Sequence, residues 1–260
     1  IPYPSYETPD AWDGLLVQTF YAGNVAFTDN TVNIGTTDGT SVYMFRKINY
    51  TGGIVDMDAT FANNTFQKVV VRTDGTNIIG DAFYSTIQGA IDAAAAGETI
   101  LVGPGTYNEA VLLNKAGITV KSTDSAATTI IDVPFGTLTT GVKTFANMGT
   151  ITFDGFTVKN FTEGGIIQPM SAATGTTFHV LNNIVIPKAD YLRNGIQVSG
   201  NGSTVKGNYV EGAYLTPSWG STGILVVNAS NVVVENNEVS GDAIGLDMGI
   251  GILNYSVASM

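Results

Sequence analysis

The chain repeats itself, and this repeat restricts its possible folds more than any other feature. Four six-residue segments align without gaps, at 153–158, 180–185, 205–210 and 234–239. Each is followed by a Gly-Ile segment, and these begin at Gly165, Gly195, Gly223 and Gly249. Starts within the first set are 27, 25 and 29 residues apart, and within the second 30, 28 and 26. Two motifs that recur in one order at one period indicate a solenoid with one coil per repeat.

The third position of the first motif is restricted to two residue types. It is occupied by Gly155, Asn182, Gly207 and Asn236. Glycine and asparagine enter the left-handed region of backbone space at low cost, so we expect positive φ and a sharp bend at all four positions. A second turn column is expected five residues after each Gly-Ile glycine, at Met170, Gly200, Asn228 and Asn254.

Stacked coils bring equivalent residues above one another at a spacing of about 4.8 Å. We therefore predict one buried aliphatic stack of Ile166, Ile196, Ile224 and Ile250. A β-sandwich with turns every 8–12 residues or so is the alternative fold. It does not explain two aligned motifs with a common period.

A short helix is predicted over residues 85–96, before the first coil. Ser85 is the expected N-cap and Gly97 the expected stop. Four apolar residues share one face of this helix: Ile87, Ala90, Ile91 and Ala94. Such a face would cover the hydrophobic end of the solenoid.

This opening resembles that of the pectin-lyase-like β-helix proteins. The matching residues are Thr86-Ile-Gln-Gly-Ala-Ile-Asp-Ala-Ala, followed by Gly97-Glu-Thr-Ile-Leu-Val-Gly-Pro-Gly-Thr-Tyr-Asn-Glu109. The resemblance covers about residues 84–260. It implies an all-β, right-handed, single-stranded parallel β-helix with an N-terminal capping α-helix. It does not imply one activity, because the superfamily contains polysaccharide lyases, pectin esterases, phage tailspikes and surface-layer or adhesin-like proteins.

Residues 1–80 lack the repeat. They contain β-rich runs at 41–45 and 68–72 between turn sequences such as Asp74-Gly75. We therefore divide the chain into a β-rich N-terminal domain or extension, 1–80, and the parallel β-helix, 81–260.

Composition excludes several function classes. The chain has 11 Lys and Arg against 22 Asp and Glu, and its net charge of -11 argues against nucleic acid as a partner. It has no cysteine and one histidine, His179, which disfavours disulfides, zinc sites and His-based triads.

No apolar run approaches the roughly 20 residues of a transmembrane helix. The chain begins with Ile-Pro-Tyr-Pro, from which we expect a processed or truncated N-terminus, with removal of a secretory signal as one route.

The sequence marks of β-helix hydrolases and pectin esterases are absent, so we predict no catalytic residues. The segments between the two motifs, at 159–164, 186–194, 211–222 and 240–248, should lie side by side at one corner. Aromatic residues beside charged ones suit sugars. Six residues there form the candidate glycan-binding set: Tyr191, Arg193, Tyr214, Trp219, Asp242 and Asp247.

The sequence also bears on cofactors and on glycosylation. We expect no cofactor, with Ca²⁺ at Asp242 and Asp247 as an open alternative. Asn-X-Ser/Thr sequences make six residues candidates for N-glycosylation: Asn49, Asn63, Asn160, Asn201, Asn228 and Asn254.

Low charge, a repeat architecture and missing catalytic marks favour an extracellular structural protein of a cell surface. A surface layer, sheath, filament or adhesin stalk would bring the chain together with copies of itself and with cell-surface glycans. A polysaccharide-binding or polysaccharide-degrading enzyme is the first alternative. A viral tailspike or fibre is the second.

Overall fold

In a computed structural model, the chain forms a parallel β-solenoid, which confirms the predicted parallel β-helix architecture. The structure describes residues 28–33, 42–43, 65–74, 82–136, 139–188, 194–212, 221–241 and 248–253. Six successive sets of three strands stack into three sheets. All pairing between coils is parallel.

Strands are numbered in chain order, and those before the coils are β1 Thr31–Asn33, β2 Val42–Tyr43, β3 Thr65–Gln67, β4 Val70–Thr73 and β5 Ala82–Phe83. The first sheet of the solenoid, sheet 1, contains β6 Thr99–Val102, β9 Thr119–Ser122, β12 Gly149–Asp154, β15 Thr176–Leu181, β18 Thr204–Lys206 and β21 Val233–Glu235, and β4 joins its N-terminal edge.

Sheet 2 contains β7 Gly105–Tyr107, β10 Thr129–Asp132, β13 Thr157–Lys159, β16 Ile184–Ile186, β19 Tyr209–Gly212 and β22 Glu238–Gly241. Sheet 3 contains β8 Val111–Leu113, β11 Thr140–Thr144, β14 Gly164–Ile167, β17 Asn194–Val198, β20 Thr222–Val227 and β23 Met248–Leu253.

The predicted register and the bend between sheets 1 and 2 are both confirmed. Phe153 pairs with Val180, which pairs with Val205, which pairs with Val234, so the gapless alignment of the sequence is the alignment of the strands. The four bend residues have φ of 86° at Gly155, 53° at Asn182, 68° at Gly207 and 54° at Asn236. In the second predicted column only Asn228 has positive φ among the described members, at 50°. Met170 instead begins a 3₁₀ turn, Met170–Ala172.

The predicted isoleucine stack exists, but its last member is not buried. Ile166, Ile196 and Ile224 are fully buried and lie in register with Ile250. Ile250 is 51% exposed. Within the described part of the chain no strand pairs with the outer edge of β23, so nothing there covers this side chain.

In the three inner coils, the glycine of the Gly-Ile motif lies near the corner between sheets 2 and 3, at a point where a side chain does not fit. A Cβ added to Gly195 would overlap Cγ1 of Val210 and lie 2.6 Å from the carbonyl oxygen of Gly223. Gly165 and Gly223 meet the same obstruction from the equivalent valines, Val185 and Val239. In these three coils the glycine is therefore required by the packing, whereas a Cβ at Gly249 would have no neighbour within 4 Å.

The helix α1 spans Ile87–Ala93, and its predicted apolar face is buried in the core of the solenoid. Its predicted ends are wrong. The N-cap is Thr86, not Ser85, because the Thr86 side chain accepts a hydrogen bond from the backbone N–H of Gly89. The helix ends with Ala94 as its C-cap, before Gly97, whose N–H donates to Ala116 O.

The described N-terminal segment 65–74 contacts the first coil. Strand β4 pairs antiparallel with β6, and Val70 belongs to the same hydrophobic core as the coils. The predicted run at 68–72 thus becomes a strand two residues later, because Lys68 has a φ of 56° and lies in a turn. The run at 41–45 is represented by β2, which pairs antiparallel with β5.

Among the residues that the structure describes, no helix has the length and apolar character needed to span a membrane.

Candidate functional site

The corner between sheets 2 and 3 carries the excursions in which the sequence predicts a sugar-binding groove. The N–H groups of Thr162 and Glu163 donate to the carbonyl oxygen of Thr139, one coil earlier. The N–H of Asn194, one coil later, donates to the carbonyl oxygen of Glu163. These backbone contacts place the ends of three successive excursions next to one another.

The predicted sugar-binding side chains lie outside the described residues. This is true of Tyr191, Arg193, Tyr214, Trp219, Asp242 and Asp247. The Ca²⁺ alternative at Asp242 and Asp247 therefore stays a prediction. Where the structure describes the chain, no group of three or more His, Asp or Glu residues is arranged to hold a metal ion.

An aromatic residue that the sequence reasoning missed is exposed at this corner. Phe135, in the sequence Val-Pro-Phe-Gly of the excursion after β10, has 71% of its surface exposed. The ammonium group of Lys188, two coils later, lies 3.5 Å from the centroid of its ring. That geometry is a cation–π contact. The one available signal was an aromatic between proline and glycine, where no core position is expected.

Three carboxylates of the described coils, Asp132, Asp154 and Glu235, make structural contacts. Asp132 Oδ2 lies 3.1 Å from Lys159 Nζ, and its Oδ1 accepts a 2.6 Å hydrogen bond from Asn160. Asp154 Oδ1 accepts from Asn182 Nδ2 at 2.9 Å. Lys206 and Glu235, which are paired in register on neighbouring strands, form an ion pair with a separation of 2.6 Å. Both of its side chains are about half exposed, so it contributes under about 1 kcal/mol.

Glu109 joins the two segments that carry the family resemblance. Its Oε1 and Oε2 accept hydrogen bonds from the N–H groups of Ile87 (2.8 Å) and Gln88 (2.9 Å), in the first turn of α1. Gln88 in turn bonds through its side chain to both the N–H and the carbonyl of Leu112. Burial raises the pKa of Glu109, and the two backbone donors oppose that shift. The carboxylate has a helix-anchoring role here.

Tyr107 and His179 also have perturbed pKa values. The Tyr107 hydroxyl donates to Gly103 O at 2.8 Å, and burial raises its pKa above the usual range of tyrosine. His179 faces outward on β15 between Thr152 and Thr204. Burial lowers the pKa of His179, and Nδ1 has no hydrogen-bond partner among the described residues. These two strand neighbours are threonines, so neither provides a carboxylate that could act with His179 in acid–base chemistry.

Three of the six glycosylation sequences lie within the described residues, at Asn160, Asn201 and Asn228. Asn160 is half-buried, whereas Asn201 and Asn228 are exposed. Asn49, Asn63 and Asn254 lie outside the described residues.

Comparison of the chain with protein-family models, with curated proteins and with solved structures finds no match.

Proposed function

We propose that this chain is an extracellular structural protein of a cell surface, which assembles with copies of itself into a layer, sheath, filament or stalk. The observation that carries the proposal is the continuity of its side-chain columns. Val111, Val142, Ile166, Ile196 and Ile224 follow one another in register through the core of sheet 3. A solenoid with unbroken columns is a stiff rod, and stiffness along one axis is what a surface scaffold requires.

A column of amides runs beside the apolar ones. Asn183, Asn208 and Asn237 follow the bend residues of three successive coils. The side-chain oxygen of each accepts a hydrogen bond from the backbone of the coil before it. These hydrogen bonds connect successive coils at the turns, in addition to the backbone bonds of the sheets. The turns therefore also oppose extension and bending of the solenoid.

The finer family assignment is part of the proposal. We infer a right-handed pectin-lyase-like β-helix whose N-terminal end is capped by α1. The contacts of Glu109 and Gln88 support it, because they explain why the helix motif and the Pro-Gly-Thr-Tyr-Asn-Glu motif occur together. Right-handed winding is also the rule for parallel strands joined by crossovers.

Apolar surface on the outermost described coil supports self-association. Ile250 and Ile252 are 51% and 77% exposed, and Val233 is 46% exposed. Burial of such side chains by a neighbouring molecule yields about 25 cal/mol for each Å² removed from water. We expect lattice or filament contacts to involve residues 240–260 or the β-rich N-terminal region.

Electron microscopy of the native surface material, combined with sedimentation of the purified chain, tests this function. We expect an ordered polymer or lattice, and a sedimentation coefficient that rises with concentration. Ile252→Asp should weaken association without changing the circular dichroism spectrum, and Lys206→Ala, on another strand, is the matched control. A monodisperse monomer at high concentration, with no lattice in the native material, would contradict the proposal.

We also expect no turnover of pectic or other acidic polysaccharides, with or without Ca²⁺. Ultraviolet absorbance of an unsaturated product reports lyase activity, and reducing-end release reports hydrolysis. Either activity, if abolished by Arg193→Ala or Asp242→Ala, would replace the structural assignment with an enzymatic one.

Glycan binding at the corner between sheets 2 and 3 is the second candidate function. The exposed Phe135 ring with Lys188 above it favours this candidate, because sugars stack on aromatic rings and bond to ammonium groups. Glycan-array binding that is lost in Phe135→Ala would support it. The matched control is Lys143→Ala. It removes the ammonium group of another cation–π pair, in which Lys143 Nζ lies 5.9 Å from the centroid of the Phe145 ring.

A further inference from the structure

Asn201 lies in an exposed turn between two strands of the solenoid. The turn connects β17, Asn194–Val198, with β18, Thr204–Lys206. The residue that follows, Gly202, has a φ of 73° and is also exposed. The third residue of the sequence Asn-Gly-Ser, Ser203, is buried and bonds to the backbone. Asn201 is thus exposed in a turn that the buried Ser203 holds in place through its hydrogen bonds to the backbone.

The side-chain amide of Asn201 is held in one orientation by the next coil. Its Oδ1 accepts hydrogen bonds from the N–H of Ser230 at 2.9 Å and from the Ser230 hydroxyl at 3.0 Å. The N–H of Gly202 donates to the carbonyl oxygen of Ser230 at 2.9 Å. Because an amide group is planar, fixing its oxygen against the neighbouring coil directs its nitrogen away from that coil. Among the described residues Nδ2 has no hydrogen-bond partner.

Asn160 presents the opposite arrangement. Its Nδ2 donates to Asp132 Oδ1 at 2.6 Å, and Asp132 is also paired with Lys159. Asn160 has a φ of 65°, and the two residues after it, Phe161 and Thr162, are buried. A sugar on Asn160 Nδ2 would lie against the Asp132–Lys159 ion pair. A sugar on Asn201 Nδ2 would leave intact both hydrogen bonds that Asn201 Oδ1 accepts from Ser230.

We propose that Asn201 is an attachment site for an N-linked oligosaccharide. The proposal rests on the proposed extracellular function, since the donor is a polyprenyl phosphate- or diphosphate-linked oligosaccharide of a secretory pathway. The amide nitrogen Nδ2 forms a bond to the anomeric carbon of the donor sugar. The bond from that carbon to the phosphate oxygen breaks, the lipid phosphate leaves with the electron pair, and one amide proton is lost to the transferase.

The test uses the full chain secreted by a glycosylating host, with a flexible C-terminal tail carrying an Asn-Gly-Thr acceptor as internal reference. The folded, secreted protein is treated with a glycoamidase in ¹⁸O-water, which converts each glycan-bearing asparagine into ¹⁸O-labelled aspartate, and is mapped by mass spectrometry. A digest without the enzyme measures spontaneous deamidation at Asn201-Gly202. Asn201→Asp, which keeps an acceptor for both Ser230 donors, and Asn201→Gln are compared with Asn160→Gln.

We expect enzyme-dependent label at Asn201 and at the tail, and none at Asn160. Both Asn201 variants should lose one glycan from the intact mass, with an unchanged circular dichroism spectrum, and Asn160→Gln should lose none. A labelled tail beside an unlabelled Asn201 would overturn the proposal, as would label at Asn160. Because the host directs the chain into its secretory pathway, this result is independent of where the native chain resides. Surface labelling of the native cells tests that location separately.

Discussion

Replacing Asn208 with alanine tests how much the amide column contributes to stability. The Asn208 side chain is buried and makes four hydrogen bonds. Its Oδ1 accepts from Asn183 N at 2.9 Å and from Asn183 Nδ2 at 3.1 Å. Its Nδ2 donates to Val180 O at 3.0 Å and to Asn237 Oδ1 at 2.9 Å. Both neighbouring coils are therefore connected through one amide.

The expected cost follows from what the substitution leaves behind. Asn183 Nδ2 keeps its bond to Phe153 O, and Asn237 Oδ1 keeps the backbone N–H of residue 208. The backbone N–H of Asn183 and the carbonyl of Val180 each lose the side-chain partner that Asn208 supplied. A buried polar group left without a partner costs about 1–3 kcal/mol. Two such groups give an expected loss of about 2–6 kcal/mol in the free energy of unfolding of Asn208→Ala, a large part of the total for an ordinary domain.

Urea titration followed by circular dichroism measures that free energy, and hydrogen exchange locates the loss. The Asn183 amide should exchange faster in Asn208→Ala, whereas the Phe156 amide, which donates to Asn183 Oδ1, should be less affected. Lys206→Ala, on the preceding strand, is the control, because its half-exposed ion pair contributes under about 1 kcal/mol. If Asn208→Ala costs no more than this control, the amide column does not hold the coils together.

Three further outcomes are expected. Gly195→Ala should destabilise by about 1–3 kcal/mol in thermal unfolding, because its Cβ has no room, while Gly249→Ala, whose Cβ would have no neighbour within 4 Å, should be close to neutral. Asn182→Val should cost about 1–2 kcal/mol or more from left-handed strain, and Asn182→Gly should recover most of that loss; equal stabilities for the two would refute the strain. The pKa of Glu109 is raised on folding, so its contribution to stability falls as pH rises from the ordinary glutamate pKa to the raised one and is constant above it. In urea titrations at a series of pH values, Glu109→Gln should remove this pH dependence of the unfolding midpoint. If the midpoints of Glu109→Gln and of the unsubstituted chain change with pH in the same way, Glu109 does not have a raised pKa.

The N-terminal turn of α1 depends on a local cap and on one tertiary contact. The pattern Ile87, Ala90, Ile91 and Ala94 predicted its buried face correctly, since that spacing repeats with the turn of a helix. The exact N-cap depends on which oxygen reaches the free N–H groups. Thr86 supplies one such oxygen and Glu109, more than twenty residues later, supplies two. Sequence spacing alone does not encode that encounter.

The candidate sites divide in the same way. Adjacent excursions followed from the repeat, because coils of one period must stack their equivalent segments. The pairing of Phe135 with Lys188 did not, since it depends on where two irregular segments of different length come together. The orientation of Asn201 likewise depends on Ser230, one coil later, although the glycosylation sequence itself was visible.

The sequence by itself determined the bends and the register of this protein. Left-handed φ is a property of single residue types, so Gly155, Asn182, Gly207 and Asn236 encode the bend locally, and apolar positions at a fixed distance from it encode the strands. Only the tertiary structure decided how completely each coil is covered and which polar groups meet. Ile224 and Ile250 occupy equivalent places in the repeat, yet the first is fully buried and the second is half exposed. Burial requires a neighbouring layer on both sides, and that is a property of the stack and not of the residue.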